Sequence, residues 1–264
     1  MKKFILFLCF FIISIGFAQE KVIKPQLVTT STLVADEFFG SDSFGYVYYN
    51  KANVFYKQKN KELFQYKNLA LGKIKGVDLQ NPLKIVLFYE GFNSVVTLDN
   101  QLNETLLFNF SKNQNNPIVT SAVGLASQNR LWLFNSLPMQ LGLYDFNKQQ
   151  WQSLSQPFQS PIQYYQTDYN NFYWADSNNN IYSCDIFGKI TALGTIPKFD
   201  AVQILSYEKV VFQIENKLFF HDLKDNSTIE IQLDKKMIEK FQVKDQFLLI
   251  FTESEISKYQ ILLP

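Results

Sequence analysis

The sequence has few cysteines, one histidine and few glycines for its 264 residues. Cys9 lies in an apolar N-terminal run, and Cys184 is the only other cysteine, so an internal disulfide framework is excluded. A chain of this length can rely on its hydrophobic core instead. His221 alone cannot build a histidine-rich zinc site, and any Ser-His-Asp arrangement would have to centre on it. The sequence therefore predicts no catalytic residue, no metal site and no cofactor.

The chain also lacks an excess of either charge. It contains 25 Lys and Arg against 24 Asp and Glu, and loss of Lys2 and Lys3 would leave 23 against 24. A balance near zero without a basic run argues against nucleic acid as a partner. Aromatic residues are abundant, with 26 Phe and 14 Tyr against only 10 Gly, which favours packed β-sheets over disorder.

The N-terminus, "MKKFILFLCFFIISIGFAQ", has the three parts of a secretory signal peptide. Two lysines precede an apolar run that is too short to span a membrane, and Gly16-Phe17-Ala18 provides a cleavage site. We expect residues 1–18 to be a signal peptide that is cleaved after Ala18, and residues 19–264 to form one exported domain. No later segment is long and apolar enough to be a membrane span.

Short aromatic and β-branched runs recur along the chain, each ending in a polar residue. The six runs are "YVYYN", "VLFYE", "LWLFN", "FYWAD", "VFQIE" and "LIFTE", and their ends are 40, 45, 41, 39 and 38 residues apart. A second run follows each one after a short turn, as in "LGLYD" or "LFFHD". Such runs separated by turn residues predict antiparallel hairpins.

Four strands repeated at about 40 residues are typical of a β-propeller. The sequence therefore predicts an all-β fold with six blades in a single domain. The sixth repeat ends with "ISKYQILLP" and lacks a fourth strand, whereas "QLVTTSTLV" near the N-terminus offers a spare one. We expect this segment to pair into the last blade, closing the ring and covering a sheet edge.

The repeat also assigns structural roles to residues that resemble sites. His221 occupies a position held by Leu, Tyr and Cys in other repeats, so we interpret it as a packing residue. Aspartates at one position of four repeats are expected to cap turns; they are Asp99, Asp145, Asp185 and Asp222. "DSNNN" from Asp176 begins like a calcium loop but has Ile181 and Phe187 where that motif needs Gly and Glu. Trp132 and Trp174 lie within second strands and are expected to pack in the core.

Tyr173-Trp174-Ala175-Asp176 is similar to the YWTD repeat of six-bladed receptor propellers. The leader, the length and the Phe-, Asn- and Lys-rich composition resemble the small exported propellers of Bacteroidetes, and among them the plug subunits of the type 9 secretion system. This resemblance implies a non-enzymatic periplasmic protein, associated with the outer membrane as a monomer within a hetero-complex. It would bind a large outer-membrane β-barrel translocon and close its inner opening when no substrate is in transit.

Such a subunit needs exposed aromatic residues at its interface. The candidates are aromatic residues outside the repeat pattern together with Trp151 at the outer edge of its blade; they are Phe38, Phe39, Trp151, Phe158, Tyr164 and Tyr165. For Tyr164 and Tyr165 the alternative is that they fill the channel side of a first strand. Two other functions remain open: a binding module for glycan or peptide at the channel mouth, and an enzyme with its site in the channel. The single histidine and the absence of sialidase motifs disfavour the enzyme.

Overall fold

The computed structural model describes residues 22–112, 118–234 and 237–264. Its strands form six sheets that are arranged as the blades of a propeller, which confirms the predicted all-β, six-bladed fold. The expected signal peptide, residues 1–18 with cleavage after Ala18, lies outside the described residues. No helix in the described ranges combines the length and hydropathy needed to cross a bilayer.

Two N-terminal strands, β1 (Val22–Ile23) and β2 (Gln26–Thr32), precede the first blade. The inner strands of blades one to six are β3 (Glu37–Ser41), β7 (Gly76–Asp78), β11 (Thr120–Ala126), β15 (Ile162–Thr167), β19 (Ala201–Ile204) and β23 (Lys240–Lys244). The second strands are β4 (Val47–Lys51), β8 (Ile85–Tyr89), β12 (Arg130–Asn135), β16 (Asn171–Asp176), β20 (Lys209–Ile214) and β24 (Phe247–Phe251).

The third strands are β5 (Val54–Lys59), β9 (Ser94–Leu98), β13 (Gln140–Asp145), β17 (Asn180–Asp185), β21 (Lys217–Asp222) and β25 (Glu255–Gln260). The fourth strands of the first five blades are β6 (Glu62–Tyr66), β10 (Glu104–Asn109), β14 (Gln150–Ser153), β18 (Ile190–Thr195) and β22 (Ser227–Ile231). Short 3-10 turns occur at Leu69–Leu71, Glu90–Phe92 and Phe110–Lys112.

The N-terminal segment closes the ring as predicted. Strand β2 pairs antiparallel with β25, from Gln26 opposite Gln260 to Thr32 opposite Glu255, and so supplies the fourth strand of blade six. Strand β1 adds an interaction that the sequence analysis did not anticipate, because it pairs in parallel with β22 at the edge of blade five. The N-terminal segment therefore joins the outer edges of the last two blades.

The hydrophobic core is divided among the six blade junctions. Each junction holds one cluster of buried side chains drawn from the two blades that meet there. Successive side chains of a strand point to opposite faces of its blade, and both faces pack against a neighbouring blade. This explains why the second and third strands are apolar along much of their length: all five residues of β8 and of β9 are buried.

The residues assigned structural roles from sequence take those roles. Asp185, for example, accepts hydrogen bonds at Oδ1 from the backbone N–H groups of Phe187 and Lys189, and Asp99, Asp145 and Asp222 cap equivalent turns. His221 is 2% exposed, and its Nδ1 lies 2.8 Å from Thr228 Oγ1. Burial lowers the pKa of His221. Trp132 and Trp174 are buried, as expected.

Candidate functional site

The two ends of the propeller carry different loops. Because strands alternate in direction within each blade, the loop between first and second strands lies at one end, which we call the first-loop end. The loops between second and third strands, and the connections from one blade to the next, lie at the opposite end. The inner strands surround a central channel with a cavity of about 620 Å³, which therefore has one mouth at each end.

Exposed apolar side chains recur at the tips of the first loops. Four blades carry one each, and we call them the apolar crown: Phe44, Leu83, Tyr169 and Tyr207. Their exposed fractions are 59%, 65%, 38% and 47%. Because the first loops follow the inner strands directly, the crown surrounds one channel mouth. Aromatic side chains in such a position are typical of protein interfaces.

Side-chain caps hold two of these loops in place. Asp42 is buried, accepts hydrogen bonds from Phe44 N at 2.9 Å and Tyr46 N at 3.0 Å, and receives the Tyr48 hydroxyl at 2.8 Å. Asp168 plays the same part beside Tyr169: it accepts hydrogen bonds from two backbone N–H groups of the loop and from the Tyr173 hydroxyl. Each aspartate thus ties its loop to a tyrosine of the second strand.

The other two crown loops have smaller caps. Asn81 Oδ1 accepts a hydrogen bond from Leu83 N at 3.0 Å, and Ser206 Oγ accepts one from Glu208 N at 3.2 Å. The Tyr207 hydroxyl donates to Asn171 Oδ1 at 2.7 Å, which links the crown loop of blade five to blade four. The backbones of all four loops are therefore held by local hydrogen bonds, so binding would cost little loop ordering.

Glutamine side chains join the inner strands of successive blades around the channel. Gln166 exchanges two hydrogen bonds with the backbone of Ile204 (3.2 and 2.8 Å), and Gln203 exchanges two with Val243 (both 2.6 Å). Gln242 accepts from the N–H of Ser41 at 2.7 Å and donates to its carbonyl at 3.3 Å. Each amide acts as an additional peptide group between two blades, so these channel-lining groups are engaged in the fold.

A partly buried carboxyl makes the corresponding link between blades two and three. Asp78 accepts hydrogen bonds from Leu125 N at 2.7 Å and from the Thr167 hydroxyl of blade four at 3.3 Å. Thr167 can reach it because Gly124 lies between them: a Cβ atom at Gly124 would stand 2.0 Å from Thr167 Oγ1. Burial raises the pKa of the Asp78 carboxyl, against the lowering effect of its hydrogen bonds.

The opposite mouth is lined mainly by charged side chains. Ion pairs at 3.6 Å join Lys73 to Glu37 and Lys75 to Glu90. Lys240 Nζ lies 5.7 Å from the centre of the Phe39 ring, and burial lowers the pKa of this lysine while Glu37 opposes the shift. Across the described ranges, no group of three or more His, Cys, Asp or Glu side chains could hold a metal ion.

The six interface residues predicted from sequence do not form one surface. Phe39, Tyr164 and Tyr165 line the channel, as the alternative for the two tyrosines anticipated. Trp151 is half-buried over Gly142, where an added Cβ would meet its ring at 2.6 Å. Phe158 is half-buried between blades three and four, stacked on Trp174 at 4.6 Å.

The expected exposure of Phe38 is wrong. Its side chain is 1% exposed and stacks on Phe251 of blade six at 5.3 Å. Phe38 and Phe39 are successive strand residues and so point to opposite faces of the blade. In a closed ring both faces are covered, whereas a surface strand would leave one face in solvent. An interface role for the other five residues stays a prediction.

Sequence reasoning missed both the apolar crown and the glutamine links. Gln166, Gln203 and Gln242 are 37 and 39 residues apart, which is close to the repeat length. Phe44 and Leu83 are 39 residues apart, and Tyr169 and Tyr207 are 38 apart. Both sets therefore follow the repeat, whereas the search for interface residues looked mainly outside it. Comparing first strands and first loops across the six repeats could have found them.

No protein-family model matches the sequence, and no curated protein matches it. The fold does resemble solved structures. Virginiamycin B lyase from Staphylococcus aureus superimposes with a TM-score of 0.57 at 16% identity, covering 84% of this chain and 79% of the lyase. BamB from Moraxella catarrhalis superimposes with a TM-score of 0.53 at 9% identity, covering 89% of this chain and 99% of BamB. YCF48 bound to a D1 peptide superimposes with a TM-score of 0.54 at 9% identity, covering 87% of this chain and 82% of YCF48.

At these identities the similarity shows the propeller fold alone. PorZ, a surface component of the type-IX secretion system of Porphyromonas gingivalis, is also similar, at 12% identity over 89% of this chain and 39% of PorZ. Its TM-score of 0.47 is too low to bear on function. The similar structures thus include a lyase as well as a protein bound to a peptide.

Proposed function

We propose that this protein is an exported, non-enzymatic interaction propeller that docks its first-loop end on a partner protein. The observation that carries the proposal is the apolar crown. Of the five exposed aromatic side chains in the described residues, Phe44, Tyr169, Phe187 and Tyr207 lie in first loops or third-to-fourth-strand loops, and only Phe92 lies in a loop at the opposite end. Exposed aromatic residues concentrated in this way are expected of a docking surface.

The more specific proposal is that the partner is a large outer-membrane β-barrel translocon of the type 9 secretion system. The propeller would act as a periplasmic plug, one monomer in a hetero-complex, with the crown applied to the inner opening of the barrel. Support comes from the sequence resemblance and the signal-peptide pattern, and from the rigidity that the capped loops and glutamine links give to the crown end. Rigid presentation favours binding because little motion is lost on association.

An enzymatic function has less support from the geometry. The only histidine is buried in blade five, where Thr228 engages its Nδ1. Gln166, Gln203 and Gln242 are engaged in joining blades. The similar structures include a catalytically inactive variant of virginiamycin B lyase with quinupristin, at 14% identity. The quinupristin is a ligand of that lyase and is not carried over to this protein.

Binding of a glycan or peptide at a channel mouth is the second candidate. The observation that favours it is the cavity of about 620 Å³, bordered at the charged mouth by Glu37, Phe39, Lys75 and Lys240. A site of this volume falls in the range of small-ligand pockets.

Affinity purification of the full-length tagged protein from detergent-solubilised envelope, at native expression, tests the proposal. We expect stoichiometric recovery with a large outer-membrane barrel, and depletion of complexes that carry a substrate in transit. A double variant, Phe44→Ser with Tyr169→Ser, should lose the barrel, because each removes an exposed aromatic anchor worth about 2 kcal/mol or more at an interface. Recovery of the wild type as a free monomer would refute the proposal.

The matched control is Phe92→Ser with Leu137→Ser, which removes two exposed apolar side chains from the opposite end (50% and 63% exposed). This variant should retain the barrel. The free energy of unfolding of both double variants should lie within about 0.5 kcal/mol of the wild-type value, since exposed positions contribute little to stability. Equal loss of binding in both would show that the interface is not at the crown. Binding of a glycan at the charged mouth without any barrel would favour the second candidate.

A further inference from the structure

A lateral groove of about 740 Å³ lies between blades three and four, away from both channel mouths. Its floor is aromatic: Phe158 and Tyr182 stack on Trp174, with ring centres 4.6 and 5.1 Å from the indole. Its rim is made of serine and glutamine side chains, and its lining contains no lysine or arginine. Asp176, the one carboxylate in the lining, caps its own hairpin by accepting from Asn178 N and Asn180 N.

The groove exists because the outer strand of blade three is short. Strand β14 ends at Ser153 after four residues, and residues 154–161 then cross to blade four. Just after β14, the backbone of Leu154 still bonds to the neighbouring strand β13: Leu154 N donates to Leu141 O at 2.9 Å. Alternation along a strand therefore points the N–H and C=O of Ser153 away from β13, toward the groove.

The matching position between blades five and six is filled by the chain itself. Strand β1 pairs in parallel with the end of β22, Val22 opposite Glu230 and Ile23 opposite Ile231. Gln232 N donates to Ile23 O at 2.8 Å, and the Ile23 side chain is 8% exposed within the core cluster of that junction. The junction between blades five and six thus accepts an extended segment with one inserted aliphatic side chain.

The two junctions correspond residue by residue. Glu230 pairs with Phe219, the third residue of β21, and Ser153 pairs with Gly142, the third residue of β13. Ser153 is therefore equivalent in position to Glu230, which pairs with Val22. Leu154 is equivalent to Ile231, which pairs with Ile23. Among the described residues, no strand pairs with the outer edge of β14, although Gly188 of blade four lies against Leu154, where an added Cβ would be 2.8 Å from the Leu154 carbonyl oxygen.

We propose that the groove binds an extended segment of a partner protein as an added parallel strand on β14. One aliphatic side chain of that segment inserts beside Leu154 and Phe158, as Ile23 inserts at the other junction. The absence of lysine and arginine in the lining selects an uncharged or weakly basic segment over an acidic one. The Tyr182 hydroxyl and the Gln156 amide make no hydrogen bond with any described residue, so both can bond to the peptide backbone. The site is separate from the apolar crown, and either surface can exist without the other.

The probe is a fluorescent peptide with the sequence "VIKPQLVT", residues 22–29 of this chain, added to the full-length protein. We expect saturable binding by fluorescence anisotropy, and slower hydrogen exchange at Trp151 and Ser153 in β14. A peptide in which the isoleucine is replaced by aspartate should bind at least about tenfold more weakly. Slower exchange confined to β22 would show instead that the peptide exchanges with β1, and would overturn the proposal.

Two protein variants test the groove itself. Ile190→Lys places an ammonium group at the groove edge, where it repels the lysine of the probe, and Ser153→Pro removes the outward N–H without touching the β13 ladder; each should weaken binding at least about tenfold. The control Leu63→Lys alters a similarly exposed apolar residue on the outer strand of blade one (54% against 44% for Ile190) and should leave binding unchanged. Undiminished binding in both folded groove variants would overturn the proposal. So would binding of cellohexaose or maltoheptaose at β14 when the peptide does not bind there.

Discussion

The two channel mouths are built from the same repeat, yet they differ in chemistry. At the first-loop end, capped loops present Phe44 and its three counterparts above inner strands that glutamine side chains join. At the opposite end the mouth is lined by ion pairs such as Lys75 with Glu90, and both members are substantially exposed. One mouth is therefore surrounded by exposed aromatic and aliphatic side chains, and the other is lined by exposed ion pairs.

This difference shows how a repeat protein acquires two faces. The strand core of each blade must keep its apolar pattern, because both faces of every blade are covered. The loops are free of that constraint and can differ from one end to the other. The partly buried links between blades lie at the ends of the inner strands next to the crown, so substitutions there should affect the fold more than substitutions at the charged mouth.

Gly124→Ala should give the largest effect, about 3 kcal/mol of lost stability, because the new methyl group would collide with Thr167 in a packed wall. Gly91→Ala is the matched control near the charged mouth, where an added Cβ meets nothing within 4 Å. Urea denaturation of both variants measures the difference. If Gly124→Ala is as stable as Gly91→Ala, the wall beneath the crown is not tightly packed.

Gln242→Leu should cost about 2 kcal/mol, since it leaves the buried N–H of Ser41 without its partner between blades six and one. Gln246→Leu changes an exposed glutamine only four residues away and should stay within about 0.5 kcal/mol of wild type. The free energy of unfolding in urea tests the pair. Equal losses would contradict a specific role for the inter-blade amide.

Asp78 should make stability depend on pH in an unusual direction. Burial raises the pKa of its carboxyl above the unfolded value, so the folded state takes up a proton first as the pH falls. Its contribution to stability therefore rises as the pH falls through the raised pKa, and levels off below the unfolded value near 4. The measurement is the difference in unfolding free energy between wild type and Asp78→Asn from pH 7 to pH 4.

If the difference in unfolding free energy between wild type and Asp78→Asn stays constant over this range, folding does not shift the pKa of Asp78. The comparison with Asp78→Asn is needed because His221 acts in the opposite sense. Burial lowers the pKa of His221, so its contribution falls as the pH drops below about 6.5 toward the lowered value. Both proteins contain His221, and its contribution cancels in the difference.

Lys75→Gln at the charged mouth should have the smallest effect, below about 0.5 kcal/mol, because its ion pair with Glu90 is exposed and screened by salt. Lys61→Gln, at an exposed turn of blade one, serves as the control. The two variants are compared by urea denaturation at low and high salt. A loss of unfolding free energy as large as that of Gln242→Leu would show that the two mouths contribute equally to stability, which contradicts the contrast between them.

Much of the fold could be predicted from the sequence because its signals are local. The predicted ends of the second strands lie within two residues of the observed ends, as at Asn135 for β12 and Asp176 for β16. Alternating apolar runs define strands, and Asp and Asn define turns, over only a few residues each. The closing role of Gln26–Thr32 followed from counting strands, since the last repeat lacked one.

The candidate site could not be predicted in the same way. Phe38 and Phe44 are both phenylalanines in or beside the first strand of blade one, but one is 1% exposed and the other 59%. Turn residues beside Phe44 indicate a loop, but they do not tell whether another blade covers either side chain. Phe38 is covered by Phe251, which is more than two hundred residues away in the chain, whereas Phe44 lies at a loop tip that no other blade covers.

The sequence by itself determined the repeat, the number of blades and the strand that closes the ring, because periodicity and turn chemistry act between neighbouring residues. Only the tertiary structure decided which side chains face the channel, a blade junction or solvent. That choice depends on how adjacent blades meet, as in the bonds of Gln242 to Ser41 and the pairing of Ile23 with Ile231. The functional surfaces are set by contacts between distant repeats, and local pattern carries little information about those contacts.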